Sequence, residues 1–343
     1  MNEGSKRNLR FGLWYDFRNP PQWRRPYEKV YSEILDQIAW AEDIGFDDVW
    51  LSEHHFTEDG YSPSLLPISA AIAAKTKKIR IATGVALLPL YDPVRLAEDA
   101  ATVDIISGGR FELGVAVGYK VDEFRGLDID ISERGGRTDE ALEIITRLWA
   151  GEKLDYKGEY FRVGNVSISP EPAQKPGPPL WIGGFVPAAL KRAVKYGDGY
   201  MGGGGPIEES YKLYVEELKK AGKPTDNVKI ADGIHWLIVS EDPKKTWDEA
   251  AEHVIYQANK YNEWFKEAGM SGVYEPIRDK QHLRELGRLN VVDPDICIDM
   301  INKHLEKAPL THFLSWTLPP GLPASWAEPH LELFSKKVIP AFR

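Results

Sequence analysis

Glu53-His54-His55-Phe56 sets two imidazoles side by side behind a carboxylate. Histidine is the side chain best suited to moving a proton near neutral pH. Successive side chains alternate across an extended strand, so at most one of the pair points squarely into a site. The expectation for His54 and His55 is therefore one catalytic imidazole and one whose hydrogen bonds are structural. Neighbouring histidines lack the helical metal spacing H-x-x-x-H. No second cluster of carboxylates and histidines lies nearby in sequence, so a metal ion is not expected.

Glycine-rich turns suggest a second kind of chemistry. Trp181-Ile182-Gly183-Gly184-Phe185-Val186-Pro187 reads as a strand, a glycine turn and a helix start. Bare glycines let an anion approach backbone N–H groups at the positive end of a helix dipole, which suits a phosphate. A tight turn needing positive φ fits the same residues. Gly202–Gly205, including Gly202 and Gly203, offers a second such surface. Gly197-Asp198-Gly199-Tyr200-Met201-Gly202 matches G-x-G-x-x-G but runs from a helix end into a strand, the reverse of the dinucleotide fingerprint. No G-x-x-x-x-G-K-[ST], H-E-x-x-H or G-x-S-x-G occurs, which removes the P-loop, zincin and α/β-hydrolase readings. Glu133-Arg134-Gly135-Gly136-Arg137 places two cations ahead of a helix expected from Thr138, where they can meet a phosphate or pair with Asp139 and Glu140.

Eight strand-like runs alternate with helical stripes. The strands are expected at Leu9–Tyr15, Asp48–Ser52, Ile79–Leu88, Phe111–Val117, Pro179–Ile182, Gly199–Met201, Val228–Val239 and Thr311–Thr317. Val30, Ile34 and Ile38 recur at helical spacing over Tyr27–Ile44, and Gly45 comes next, where a left-handed cap belongs. Asp92-Pro93 opens another helix as N-cap and first residue. The last helix is expected at Ala324–Val338. Residues 151–178, rich in proline, break the rhythm and read as a surface excursion. Eightfold alternation argues for parallel strands in an α/β fold, a single-domain (β/α)8 TIM barrel; an open doubly wound sheet is the rival. In a barrel the chemistry gathers at the C-terminal strand ends, which here carry Trp14, His54, Gly84, Val117, Gly183, Gly202 and Trp316 among others. Asn262–Val292, after strand seven, reads as an insertion that serves either as a mobile lid or as a static segment.

Of 343 residues, 43% are apolar, enough for a large core. The 43 basic against 52 acidic residues give −9, a balance that repels phosphate backbones and disfavours nucleic-acid partners. Cys297 is the single cysteine, so no internal disulfide is possible. The polar start MNEGSKRNLR has no secretory core and no apolar run is long enough to span a membrane, so a cytoplasmic protein is expected.

Several motifs, specific as an ordered set, resemble the bacterial luciferase-like flavin monooxygenase family. They are VWLSEHHFTEDG (Val49–Gly60), ATGVALLPLYDPVRLAED (Ala82–Asp99), SGGRFELGVAVGY (Ser107–Tyr119), ERGGRTDEALEIITRLW (Glu133–Trp149), PLWIGG (Pro179–Gly184) and YGDGYM (Tyr196–Met201). Their order and spacing hold over roughly residues 9–240. The resemblance implies a (β/α)8 barrel that takes reduced FMN, or in many relatives deazaflavin F420. It casts His54, first histidine of the E-H-H run, as the proton-transfer residue. Gly84 and Val85 would back the ring, Ala116, Val117, Gly118 and Tyr119 would flank the ring or its ribityl chain, and Gly183, Gly184 and Phe185 would take the phosphate. Luciferase has an arginine on strand four at the phosphate; Val117 stands there in this chain, leaving Lys120, Arg134 or Arg137 as substitutes.

The same resemblance implies a monooxygenase that combines reduced FMN and dioxygen to oxygenate a small apolar substrate, with a separate NAD(P)H:flavin reductase supplying electrons. E-H-H-F favours FMN over F420. Trp14, Phe56, Tyr91, Trp236 and Trp316 are candidates for the water-excluding wall of the substrate pocket. A homodimer is what the family implies. The alternatives are F420-dependent hydride transfer and a non-catalytic flavin-binding protein.

Overall fold

The structure is a computed structural model that describes residues 9–202, 206–270 and 275–343. In chain order the strands and helices are β1 (Arg10–Tyr15), α1 (Tyr27–Asp43), β2 (Asp48–Leu51), α2 (Leu65–Lys75), β3 (Arg80–Thr83), β4 (Ala86–Leu87), α3 (Pro93–Ser107), β5 (Phe111–Ala116), α4 (Val121–Gly126) and α5 (Arg134–Trp149). They continue with β6 (Leu154–Lys157), β7 (Arg162–Val166), β8 (Leu180–Gly183), α6 (Pro187–Tyr196), β9 (Gly199–Met201), α7 (Ile207–Lys220), β10 (Lys229–Gly233), β11 (Leu237–Val239) and α8 (Pro243–Glu267). Last come α9 (Lys280–Leu286), β12 (Asn290–Val292), α10 (Pro294–Leu305), β13 (His312–Trp316) and α11 (Ala324–Lys337). The hydrogen-bonded order β3-β2-β1-β13-β10-β9-β8-β5-β4 closes through β3–β5, with β3 and β4 sharing one position. The fold is a (β/α)8 barrel, as the alternation of elements implies.

Two compact units divide the described chain: one within residues 1–49, 58–61 and 229–343, the other from 50–57 and 62–228. In the second unit the predicted third strand is broken. β3 and β4 both pair in parallel with β5, but Gly84-Val85 separates them and its peptide bond is cis. The helix α5 begins at Arg134, so the two predicted rim cations lie in its first turn instead of ahead of it. The excursion at 151–178 holds an antiparallel hairpin, β6 with β7. Glu112, buried on β5, accepts from Arg80 Nε and from Trp181 Nε1 on β8 and so ties three neighbouring strands.

In the first unit β1 and β10 both pair in parallel with β13. The predicted seventh strand splits. Its first part is β10, and after a break its second part, β11, pairs with β12 in a separate ribbon. A Cβ on Gly233 would collide with the Leu314 backbone, so the last residue of β10 is glycine for close approach to β13. Of the expected insertion at Asn262–Val292, the first residues are the end of α8, which runs unbroken to Glu267; α9 and β12 come after it, and 271–274 lie outside the described residues. The final helix ends at Lys337, one residue early.

Arg18, just past β1, is fully buried in this unit. Its guanidinium lies 3.4 Å from Asp16 and 3.5 Å from Asp59 and sits over the rings of Tyr61, Tyr261 and Trp264 at 4.5, 5.1 and 5.0 Å. Burial alone would lower its pKa, but the two carboxylates outweigh that and raise it. Asp16 is itself pushed up by burial, against the opposing pull of Arg18.

Candidate functional site

The residues that hold the two histidines come from the second unit. β2 ends at Leu51, and Glu53, His54 and His55 lie in its extended C-terminal continuation. The Ser62 hydroxyl donates to the Ser52 carbonyl at 2.6 Å and pins the base of that loop. His54 is 5% exposed and Glu123, on α4, is fully buried. His54 Nδ1 lies 2.7 Å from Glu123 Oε1, and the same oxygen accepts from the His55 backbone N–H at 2.9 Å. A carboxylate at that distance favours the proton on Nδ1, which makes Nε2 the acceptor nitrogen of the ring. The Tyr119 hydroxyl stands 3.4 Å from Nε2.

The two histidines do different things. His55 Nε2 is 2.8 Å from Glu53 Oε1, and the other oxygen of Glu53 accepts from the Tyr91 hydroxyl at 2.6 Å. Burial alone would lower the His55 pKa, but its bond to Glu53 and that carboxylate's charge outweigh it and raise it. Burial raises the Glu53 carboxyl, with the bond to His55 acting against the shift. Tyr91 is held well above its ordinary range by burial and then by Glu53. Lys120 Nζ donates to the His55 carbonyl at 3.1 Å. The arrangement sets an imidazole on a buried carboxylate, His54–Glu123, beside a Glu53–His55–Tyr91 brace.

The residues proposed for a cofactor gather at the ends of adjoining strands. Ala86 pairs with Val115 and Leu87 with Ala116, while Ile182 pairs with Val115 and Gly183 with Met201. A Cβ on Gly183 would sit 3.1 Å from Val85 Cγ1 and 3.6 Å from Ala116 Cβ, so these three residues adjoin. A Cβ on Gly84 would meet the Trp50 ring at 3.0 Å. Gly184, at φ +125°, needs to be glycine, and Val186 leaves α6 without a side-chain cap or an acidic residue in its first turn. Asp92, Asp242 and Asp293 cap α3, α8 and α10. The helix dipole of α6 therefore has no carboxylate answering it at its N-terminus. Gly118, at φ +71°, turns the chain over the Phe124 ring of α4 and delivers Tyr119 to His54. Val117 is half-buried and Gly202 buried; Gly203 lies outside the described residues.

The proposed substitutes for the missing strand-four arginine are engaged elsewhere. Lys120 is buried on the His55 carbonyl, Arg134 donates to the Ile131 carbonyl, and Arg137 donates to the Pro89 carbonyl. Of the proposed pocket wall, Phe56 is 60% exposed, with its ring against Gly126, and Tyr91 is the partner of Glu53. Trp14, Trp236 and Trp316 belong to the first unit. Trp14 stacks on Trp316 at 4.3 Å, and Trp316 and Trp236 are buried with Ile238, Trp247 and Val254. Among the described residues no group of three or more His, Cys, Asp or Glu could hold a metal ion, and no helix is long and apolar enough to cross a membrane. Glu123 went unread in the sequence; its only local mark is an acid in the first turn after Lys120.

Comparison with known proteins identifies the family. The chain belongs to the luciferase-like monooxygenase family, whose sequence profile matches residues 9–295. It is 37% identical over 212 residues to an F420-dependent glucose-6-phosphate dehydrogenase of Microbacterium testaceum (strain StLB037), covering 57% of this chain and 61% of that protein. It is 30% identical over 191 residues to the oxygenase component of flavin-dependent trigonelline monooxygenase from Acinetobacter baylyi (strain ATCC 33305 / BD413 / ADP1), covering 55% and 52%. The match thus spans about half to three-fifths of these curated relatives' length. The crystal structure of monooxygenase RslO1 from Streptomyces bottropensis superposes with a TM-score of 0.81 at 25% identity, covering 98% of this chain and all (100%) of that one.

Proposed function

We propose that this protein is the oxygenase of a two-component flavin monooxygenase, taking reduced FMN from a separate NAD(P)H:flavin reductase and oxygenating a small apolar substrate. The observation that carries the reading is the His54–Glu123 pair, a buried imidazole set on a buried carboxylate, in a family of flavin and deazaflavin enzymes. When bound, reduced FMN would supply the electrons that activate dioxygen. Val85, Ala116 and Gly183 would back its ring, and Gly184-Phe185 ahead of α6 would meet its phosphate. Glu123 keeps the His54 Nδ1 proton in place and steadies the imidazolium formed when Nε2 takes a proton. His55 and Glu53 stay paired and hold the loop that carries His54. The likeness to RslO1 over the whole chain and the trigonelline relative's role as an oxygenase component support the oxygen-using reading.

A second reading, hydride transfer with F420 and no dioxygen, is favoured by the 37% identical dehydrogenase. Titration with FMN and F420, each reduced and oxidised, separates the two. The proposal expects tight binding of reduced FMN. It also expects product from a panel of aldehydes, ketones and terpenes given a flavin reductase and NADH. Submicromolar F420 binding beside millimolar FMN would overturn it.

A further inference from the structure

His54 is the proposed proton-transfer group, yet it is buried, and so is the carboxylate behind it. With Nδ1 committed to Glu123, proton exchange passes through Nε2, which faces the Tyr119 hydroxyl at 3.4 Å. The two rings meet edge-on, with centroids 5.6 Å apart at 78°. Tyr119 is half-buried where His54 and Glu123 are covered, so it is the member of the three that reaches outward. Its aim is built in by Gly118, whose positive φ turns the chain, and by the Phe124 ring under that turn. A hydroxyl both donates and accepts, so it can pass a proton without ending the step charged.

We propose that Tyr119, Glu123 and His54 form a proton relay with the Tyr119 hydroxyl as its outer member. The relay rests on the reading of His54 as the proton-transfer group. When substrate is deprotonated, the substrate X–H bond breaks as a new O–H bond forms on Tyr119. The original Tyr119 O–H breaks as N–H forms on His54 Nε2. One proton leaves substrate, the imidazole becomes an imidazolium facing the Glu123 carboxylate, and no oxidant is consumed. Protonation of a reacting oxygen is the same sequence reversed. The contact of 3.4 Å has to tighten by about half an ångström to reach ordinary O–H···N length, as catalytic bonds in unliganded sites commonly do.

The test compares Tyr119→Phe with His54→Gln in the full-length enzyme, supplied with reductase, NADH, FMN and whichever panel substrate gives product. Tyr119→Phe keeps the ring and removes only the hydroxyl. The relay expects kcat to fall roughly 10- to 100-fold with KM and FMN affinity within about twofold. It also expects the wild-type rate to curve against the deuterium fraction of the solvent, from two protons in flight, and the variant's rate to run straight. In ¹⁵N-histidine spectra of the cofactor-free protein, the His54 Nε2 resonance should move in Tyr119→Phe. Unchanged kcat, a raised kcat from an unblocked imidazole, or an unmoved resonance overturns the relay while inactive His54→Gln leaves the parent reading standing. Full activity in His54→Gln overturns both.

Discussion

Glu123→Gln is the sharpest probe of the site, because the amide preserves shape and removes charge. Glu123 Oε1 accepts from His54 Nδ1 at 2.7 Å and from the His55 N–H at 2.9 Å, and an amide oxygen can do both. The other oxygen is buried without a hydrogen-bond partner among the described residues, so exchanging it for nitrogen breaks no bond seen there. What is lost appears only when the imidazole is charged. A hydrogen bond to an ion is worth about 1.5–3 kcal/mol against about 0.5–1.5 for a neutral one, so the imidazolium loses on the order of 1–3 kcal/mol. That corresponds to roughly 5- to 150-fold in kcat, with KM and flavin affinity nearly unchanged. The assay is steady-state product formation with reductase, NADH and FMN, alongside a thermal melt. A variant that melts normally and turns over within twofold of wild type would refute the assignment of Glu123 as the stabiliser of His54. A rise in KM with kcat intact would also refute it.

Gly184→Ala forces a side chain onto φ +125° and places its Cβ 3.0 Å from Ala189 Cβ, so FMN affinity should fall by at least about tenfold while the far-ultraviolet spectrum stays native; equal affinity in a titration would exclude an anion site before α6. Arg18→Met leaves Asp16 and Asp59 buried without their cation and should cost roughly 3–5 kcal/mol in urea unfolding. Trp316→Ala, in the core of the first unit, should cost about 3–5 kcal/mol, read as a drop in Tm. Histidines give opposite pH slopes. His253 and His330 are depressed by burial, so their protons bind the unfolded chain better and stability falls as pH drops below about 6.5. His55 is raised, so its contribution is full below about 6.5 and fades as pH climbs through its folded value. The stability gap between wild type and His55→Gln should therefore narrow from pH 6 to 9 in denaturant melts, and a widening gap contradicts the Glu53–His55 pairing.

Features written in local spacing were readable in the chain. Asp92-Pro93 caps α3 through the N–H groups of Val94 and Arg95, and Val30, Ile34 and Ile38 form the buried stripe of α1. Breaks inside apolar runs were not readable. Residues 79–88 and 228–239 look continuous, because β-branched and aliphatic residues recur on both sides of each break and the glycines at the breaks, Gly84 and Gly233, are also tolerated inside strands. The early start of α5 was hidden by Gly135-Gly136, poor helix formers that tertiary packing overrules. His54 was visible as a type of residue, but its partner was not: Glu123 is 69 positions away on a six-residue helix, too short to show a period. Aromatic residues look alike in sequence, so Tyr91 and the tryptophans read there as one group. Only coordinates separate a phenol bonded to Glu53 from indoles packed in a core.

One oxygen of Glu123 grips both an imidazole and the very next peptide group. Ring orientation and local main-chain path are thereby measured against a common anchor, and neither can drift alone. Anyone grafting this imidazole–carboxylate unit into another scaffold would have to carry the loop at 53–56 and the turn at 118–123 as one cassette. The loops that carry Ser62 and Tyr91 belong with it, since one pins the base of the first stretch and the other braces Glu53.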